Sequence, residues 1–288
     1  MIENYPRMIT KNFKPFDPIW LAKVTEKIVC KRIRGELARK YDDIYVAGVY
    51  RGIVTGYAVG CCLRCVFCWS YPSRDFPEKY GKFLTPTEVF DIMKREGIKK
   101  GVKKCRLSSC EPTIGREHLI SLLELIEDDP YFKLFILETN GILLGHDKSY
   151  VRELTKFSKV YVRVSLKAGT PQDFMWKTGA IPEAFELPFK AIENLIEYEI
   201  PFHVAAMSLD PRIMDMEERK RLIIKLLEID PKLVLTLEEE IIDPYDTTLA
   251  RLKAAGIKIE WPLKKIYTPA KELLKRFLVR RKRNNFSS

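Results

Sequence analysis

Gly60-Cys61-Cys62-Leu63-Arg64-Cys65-Val66-Phe67-Cys68-Trp69 holds four of the chain's seven cysteines within eight residues, and the rest of the sequence is read outward from it. Cys61, Cys65 and Cys68 form CxxxCxxC, a loop short enough to turn three thiolates toward one centre. Soft sulfur ligands restrict that centre to an iron–sulfur cluster, zinc or copper(I). Structural zinc takes four protein ligands, and no further CxxC or HxxxH in the sequence supplies the fourth. Cys62 is adjacent to Cys61 and poorly placed. An odd cysteine count without an apolar leader speaks against a disulfide framework and for a reducing compartment. A four-iron cluster with one open iron is the favoured reading; a zinc-stabilised loop and an electron-transfer or redox-sensing cluster stay open.

The loop resembles the signature of the radical S-adenosylmethionine (SAM) superfamily, CxxxCxΦC with Φ aromatic, and Phe67 occupies the aromatic position. The resemblance implies that SAM completes the open iron. It also implies that an electron from the cluster cleaves SAM to methionine and a 5′-deoxyadenosyl radical, the cofactor carrying the chemistry and the protein positioning it. An electron donor of the ferredoxin or flavodoxin type is the partner so implied.

Composition bounds the remainder. With 288 residues and 46% hydrophobic content the chain can bury one large α/β core, and a single catalytic domain is the simpler expectation. The most apolar stretch, residues 222–227, is broken by Lys225 and is far shorter than a membrane span. Residues 1–21 lack a signal-like run, so a cytoplasmic protein is expected. A formal net charge of +11 points to an acidic partner such as nucleic acid or a phosphorylated substrate, although 31% charged residues also suit a thermophilic surface.

Along the chain, Leu21, Val24, Ile28, Ile33 and Leu37 fall at helical spacing and predict an N-terminal helical extension within residues 1–43, with Cys30 in its core face. Residues 44–50 and 53–57 read as a hairpin or as a short strand before the first core strand. Thr85-Pro86-Thr87-Glu88 is a capping box opening a helix. Strand patterns recur at 105–108, 134–138, 160–166, 202–207 and 233–237. Helix patterns lie between them, at about 119–126, 150–157, 189–198 and 217–227, with another at 247–255. Six βα units imply a parallel sheet. They match the partial (β/α)6 barrel of the radical SAM family, which assigns residues 44–257 to that barrel. Residues 258–288 form a basic extension in which Lys264, Lys271, Arg280, Arg281 and Arg283 alternate with Trp261, Tyr267 and Phe277; it reads as a base-stacking, phosphate-binding tail or as a solvated terminal helix.

Cofactor residues follow from the strand ends. Ser108-Ser109-Cys110-Glu111-Pro112 stands where the family often has Gly-Gly-Glu-Pro against the SAM amino group. Ser109 and Cys110 replace the glycines, and Glu111 is expected to hold the ammonium. Thr139-Asn140-Gly141 resembles the family's Thr-Asn-Gly, making Asn140 a polar contact. Alternation puts Arg163, Ser165 and Lys167 on one face, which is costly against a dry core and implies a lined cavity. Ser165 is expected at the ribose and either Arg163 or Lys167 at the carboxylate. By the same resemblance Phe67 and Ala205 pack the adenine, and His203 is left between a structural role and a cofactor contact.

The substrate is not encoded in a motif. Gly60-Cys61-Cys62-Leu63-Arg64-Cys65 is similar to the opening of glycyl-radical-enzyme activating proteins, though Ser165 replaces an aspartate of their Asp-Leu-Lys element. Cys65-Val66-Phe67-Cys68-Trp69 is similar to the tRNA wybutosine-forming enzymes, though only Cys30 is available upstream for a second cluster. The expectation is modification of RNA or protein, with RNA ahead because of the tail. A non-catalytic iron–sulfur or zinc module binding nucleic acid is the alternative from another class.

Overall fold

The strand patterns beginning at Ile53 assemble into a row of parallel strands. In the computed structural model, which describes residues 4–275, α1 (Pro18–Val29) precedes a hairpin of β1 (Cys30–Ile33) and β2 (Glu36–Ala47). The hairpin runs antiparallel into β3 (Ile53–Ala58), with β4 (Lys82–Leu84) flanking β2. From β3 the order is β3, β5 (Lys104–Ser108), β6 (Leu134–Thr139), β7 (Val160–Leu166), β8 (Phe202–Ala206) and β9 (Glu238–Glu239), all parallel. The sheet does not close, and the architecture is a partial (β/α)6 barrel. Between strands lie α2 (Tyr71–Asp75), α3 (Pro86–Lys100), α4 (Arg116–Asp128), α5 (Ile142–His146), α6 (Lys148–Leu154), α7 (Pro171–Thr178), α8 (Leu187–Glu197), α9 (Met216–Ile229) and α10 (Pro231–Leu235), and α11 (Asp246–Ala254) follows β9. The tail residues Arg280, Arg281 and Arg283, on which the RNA reading leaned, lie outside the described residues.

Local chemistry explains the elements. Thr85 accepts from the Glu88 amide while Glu88 accepts from the Thr85 amide, so the capping box forms as expected and α3 starts there. Two elements differ from the sequence pattern. The helical spacing over residues 17–41 breaks at Val29, because Arg34 and Gly35 take left-handed φ of 51° and 89° and close a hairpin. Ile33 and Leu37 are therefore strand residues, and β2 runs unbroken through residue 43, where a segment boundary was expected. The sixth strand is not residues 233–237. Asp230 caps α10 by accepting from the Lys232 amide at 2.8 Å, with Pro231 as first helical residue, and the strand is displaced to Glu238–Glu239.

The two faces of the sheet differ. Cys105, Leu107, Phe135, Leu137, Val162, Val164, Val204 and Ala206 are buried in the apolar core, which the helices cover. Alternate residues toward the cavity end are mostly polar: Thr55, Arg106, Ser108, Glu138, Arg163, Ser165 and Glu238. Cross-strand register sets Thr55 beside Arg106 and Glu138 beside Arg163. Among the described residues no helix is long and apolar enough to cross a membrane.

Candidate active site

The cysteine loop leaves the C-terminal end of β3 and is tied down on every side. Gly60 has φ +84°, and a Cβ there would sit 2.6 Å from Thr25 Cγ2 and 2.9 Å from Val29 Cγ1, so only glycine lets α1 close behind the loop. The Arg64 and Val66 amides donate to the carbonyls of Thr178 and Lys177 at the end of α7, at 2.8 and 2.9 Å. Arg64 Nη1 donates to the Cys61 and Leu63 carbonyls at 2.8 and 2.9 Å, and Arg74 Nη1 to the Cys65 carbonyl at 2.8 Å. Two buried guanidinium groups thus replace the regular secondary structure that a cysteine-rich loop lacks.

Cys61, Cys65, Phe67 and Cys68 line one wall of a cavity of about 970 Å³ at the strand ends. Ser109, Cys110, Asn140, Arg163, Ser165 and Lys167 line it too, so ten of the twelve residues picked from the sequence meet in one place. Cys62 is fully buried and off this wall. Asn140 Nδ2 reaches Cys61 Sγ at 3.6 Å and Cys62 Sγ at 3.4 Å, placing the third strand end against the loop. Burial pushes the Cys65 and Cys110 thiols up to about 12, Lys167 pulling Cys65 the other way. Metal binding at Cys65 must therefore release a proton.

The structure places two of the expected residues off the cavity wall and gives the two basic candidates different partners. Glu111 does not reach the cavity: it is fully buried, its Oε1 accepts from the Thr113 amide, Thr113 Oγ1 and Thr139 Oγ1 at 3.2, 2.6 and 2.7 Å, and its Oε2 accepts from the Asn140 amide at 2.8 Å. A carboxylate so engaged fastens two strand ends together. Ala205 is fully buried and short of the wall, which Met207, two residues along, reaches instead. Arg163 is held by Glu238 at 3.0 and 3.1 Å and by Glu240 at 2.7 Å, whereas among the described residues Lys167 Nζ donates only to Ser165 Oγ, at 2.6 Å. His203 takes a structural part, bonding Glu238 Oε2 at 2.7 Å; that bond, with Arg163, brings the Glu238 carboxyl down to about 2 against its burial.

The backbone at Ser109 and Cys110 is left-handed, φ 67° and 47°, the conformation a glycine pair adopts freely. Residues that sequence reasoning passed over complete the cavity. Arg106 donates to Glu138 and, at 2.9 Å, to Thr55 Oγ1, while Ser108 and Tyr50 also donate to Glu138. The same-face alternation that exposed Arg163 and Ser165 is present in Lys104-Cys105-Arg106-Leu107-Ser108 and was the available signal. At the mouth Tyr45 stacks on Tyr57 with centroids 5.0 Å apart, Trp69 meets Tyr57 edge-on at 6.1 Å, and Tyr245 lies 6.5 Å from Trp69. Asp243 and Asp246 line the same mouth, exposed and without hydrogen-bond or ion-pair partners among the described residues.

The residues present fit a four-iron cluster. Three thiols share one wall of a cavity with room for a small organic cofactor, the donor set and space that a thiolate-held cluster with one open iron requires.

A family model described as the Radical SAM superfamily matches residues 57–223. GTP 3′,8-cyclase of Clostridium perfringens is 32% identical over 142 residues, 49% of this chain and 42% of the relative, so the chain spans less than half the length of the curated relatives it matches. Streptococcus suis SuiB bound to precursor peptide SuiA superposes with TM-score 0.54 at 18% identity over 78% of this chain and 45% of that one. SuiB bound to S-adenosylmethionine gives 0.53 at 16% identity, over 80% and 49%. The superpositions report the shared fold. With the family model covering more than half of the sequence, including all three CxxxCxxC cysteines, the chain belongs to the radical SAM superfamily, whose cofactors are a [4Fe-4S] cluster and S-adenosylmethionine.

Proposed function

We propose that this chain carries out radical SAM chemistry on a polypeptide substrate that presents a cationic side chain next to an apolar or aromatic one. When bound, the cluster supplies the electron that splits SAM into methionine and a 5′-deoxyadenosyl radical. The chain's own residues hold and orient. Cys61, Cys65 and Cys68 ligate three irons and Asn140 buttresses Cys61. Lys167 meets the SAM carboxylate, because Arg163 is occupied by two glutamates. Ser165 meets the ribose and Phe67 the adenine. The left-handed backbone at Ser109 and Cys110 approaches the amino group, in place of the Glu111 side chain.

One observation carries the substrate class. The mouth joins the ladder Tyr45, Tyr57, Trp69 and Tyr245 to the carboxylates of Asp243 and Asp246. Aromatic faces and carboxylates together favour a cation with an apolar body and repel a polyphosphate. Three of the cations lining the cavity are paired with carboxylates, Arg74 with Asp75, Arg106 with Glu138 and Arg163 with Glu238 and Glu240, and the fourth, Lys167, bonded to the neutral Ser165 hydroxyl, is the one assigned to the SAM carboxylate. SuiB, of similar fold, was solved with a precursor peptide, which agrees with this reading. The net charge of +11 is what favours RNA instead.

The test is anaerobic reconstitution followed by dithionite and SAM. We expect 5′-deoxyadenosine from the wild type and none, with loss of bound iron, from Cys65→Ala. Deuterated peptides rich in lysine and aromatic residues should then pass deuterium into 5′-deoxyadenosine, and Asp243→Asn with Asp246→Asn should raise KM for them about tenfold, with kcat little changed. Deuterium arriving from deuterated tRNA and not from peptide sinks the substrate reading.

A further inference from the structure

Behind the cysteine loop lie three guanidinium groups, Arg64, Arg74 and Arg251, exposed by 0, 1 and 0%. The carboxylate among them is Asp75, also fully buried. Asp75 receives a bidentate pair from Arg74 at 2.7 and 2.8 Å and stands 3.2 Å from Arg64 Nε. Arg64 and Arg74 direct further N–H groups to the carbonyls of the loop. Arg251 reaches in from α11 and makes one bond, Nη2 to the Arg64 carbonyl at 3.2 Å, leaving Nε and Nη1 without a partner among the described residues. Arg64 Nη2 is likewise unpartnered. Among the described residues three buried cations thus face one buried anion.

Such an imbalance is costly. A buried charge is retained only when an opposite charge or a full set of hydrogen bonds compensates it. The groups that can supply the missing anion are the loop thiols. Arg251 Nη2 bonds the carbonyl of Arg64, the residue directly before Cys65, so the guanidinium stands against the backbone of the ligand loop. Three thiolates on an oxidised four-iron cluster leave one net negative charge, and reduction adds a second. The protein interior here is prepared for an anion that grows on reduction.

We propose that Arg251 is the electrostatic counterweight of the cluster held by Cys61, Cys65 and Cys68. It raises the reduction potential of that cluster and couples its loading to the seating of α11. The assignment rests on those three cysteines being the ligands. Arg251 acts through the cluster's field without touching substrate, so it is a positioning residue. Its place in the chain is informative, because it lies 183 residues beyond Cys68, in a helix that packs beside α2.

Iron and sulfide analysis of the reconstituted wild type comes first, so that failure of the ligand assignment is separated from failure of this one. An EPR-monitored redox titration then compares wild type, Arg251→Met and Arg251→Lys. Loss of the charge in Arg251→Met should disfavour reduction about tenfold, a fall of about 59 mV for a one-electron couple, and Arg251→Lys should restore most of it. Equal potentials in all three overturn the proposal. Where Arg251→Met retains too little cluster to titrate, anaerobic urea unfolding with and without cluster decides. The proposal expects Arg251→Met to stabilise the cluster-free chain and destabilise the loaded one, whereas equal loss in both states makes Arg251 a packing residue and overturns it.

Discussion

Ser109 and Cys110 hold, at left-handed φ, a turn where the family often has two glycines. Their small side chains tolerate the close approach, while their Cβ atoms cost about 1–2 kcal/mol each in that region. Ser109→Gly should therefore raise unfolding free energy by about 1 kcal/mol in anaerobic urea titrations, the greater freedom of glycine in the unfolded chain cancelling part of the gain. A fall in stability would mean that the hydroxyl has a partner worth more than the strain. Glu111 teaches the converse lesson. Its identity was legible in the sequence, but its direction was not, because the hydroxyl and amide donors that capture it come from Thr113 and from Thr139 and Asn140 on a different strand end. Lys167 and Arg163 were inseparable in sequence for the same reason: the acids that occupy Arg163 lie 75 and 77 residues away.

Among the elements, strands and helices with strong periodicity were legible and those fixed by neighbours were not. β7 spans the residues its alternation predicts, and α3 starts at its capping box. β9 has two residues, both glutamate, and exists because Ala205 and Ala206 of β8 offer it an edge. The join between α4 and β2 is a buried polar contact with a consequence for pH. His118 Nδ1 meets the Leu37 carbonyl at 2.8 Å, which can only accept, so Nδ1 carries the proton and Nε2 accepts from Tyr41 Oη at 2.8 Å. Burial holds this neutral ring down to about 3, from an ordinary value of 6.5. Between those values the unfolded chain binds a proton that the folded chain refuses, so stability falls as pH drops through the window, by up to about 1.4 kcal/mol per unit. His118→Gln should be less stable at pH 7 yet show a shallower loss between pH 6.5 and 4 in urea titrations; parallel curves would refute the assignment.

At the scale of the whole molecule, the open sheet gathers residues from β3, β5, β6 and β7 and from the loops after β8 and β9 around one cavity, and distant contacts keep the loop in register with it. Lys177, whose carbonyl holds the Val66 amide, is fully buried and bonded to Glu218 of α9 at 2.5 and 2.6 Å. Lys177→Met would leave that carboxylate buried with the Gly169 amide as its remaining partner among the described residues, and should cost about 3–5 kcal/mol of unfolding free energy. Adding Glu218→Leu should recover most of the loss, and no recovery would mean that the pair matters for shape and not for charge. By itself the sequence determined the cluster loop, the βα alternation and most of the cavity-lining positions, because ligand spacing and period are local properties of a chain. Only the tertiary structure decided that Glu111 braces strand ends, that Arg163 is occupied, that the mouth is acidic and aromatic, and that Arg251 stands behind the cysteines. Each of these depends on which distant charge or ring the fold brings within a few ångströms, and no local pattern carries that information.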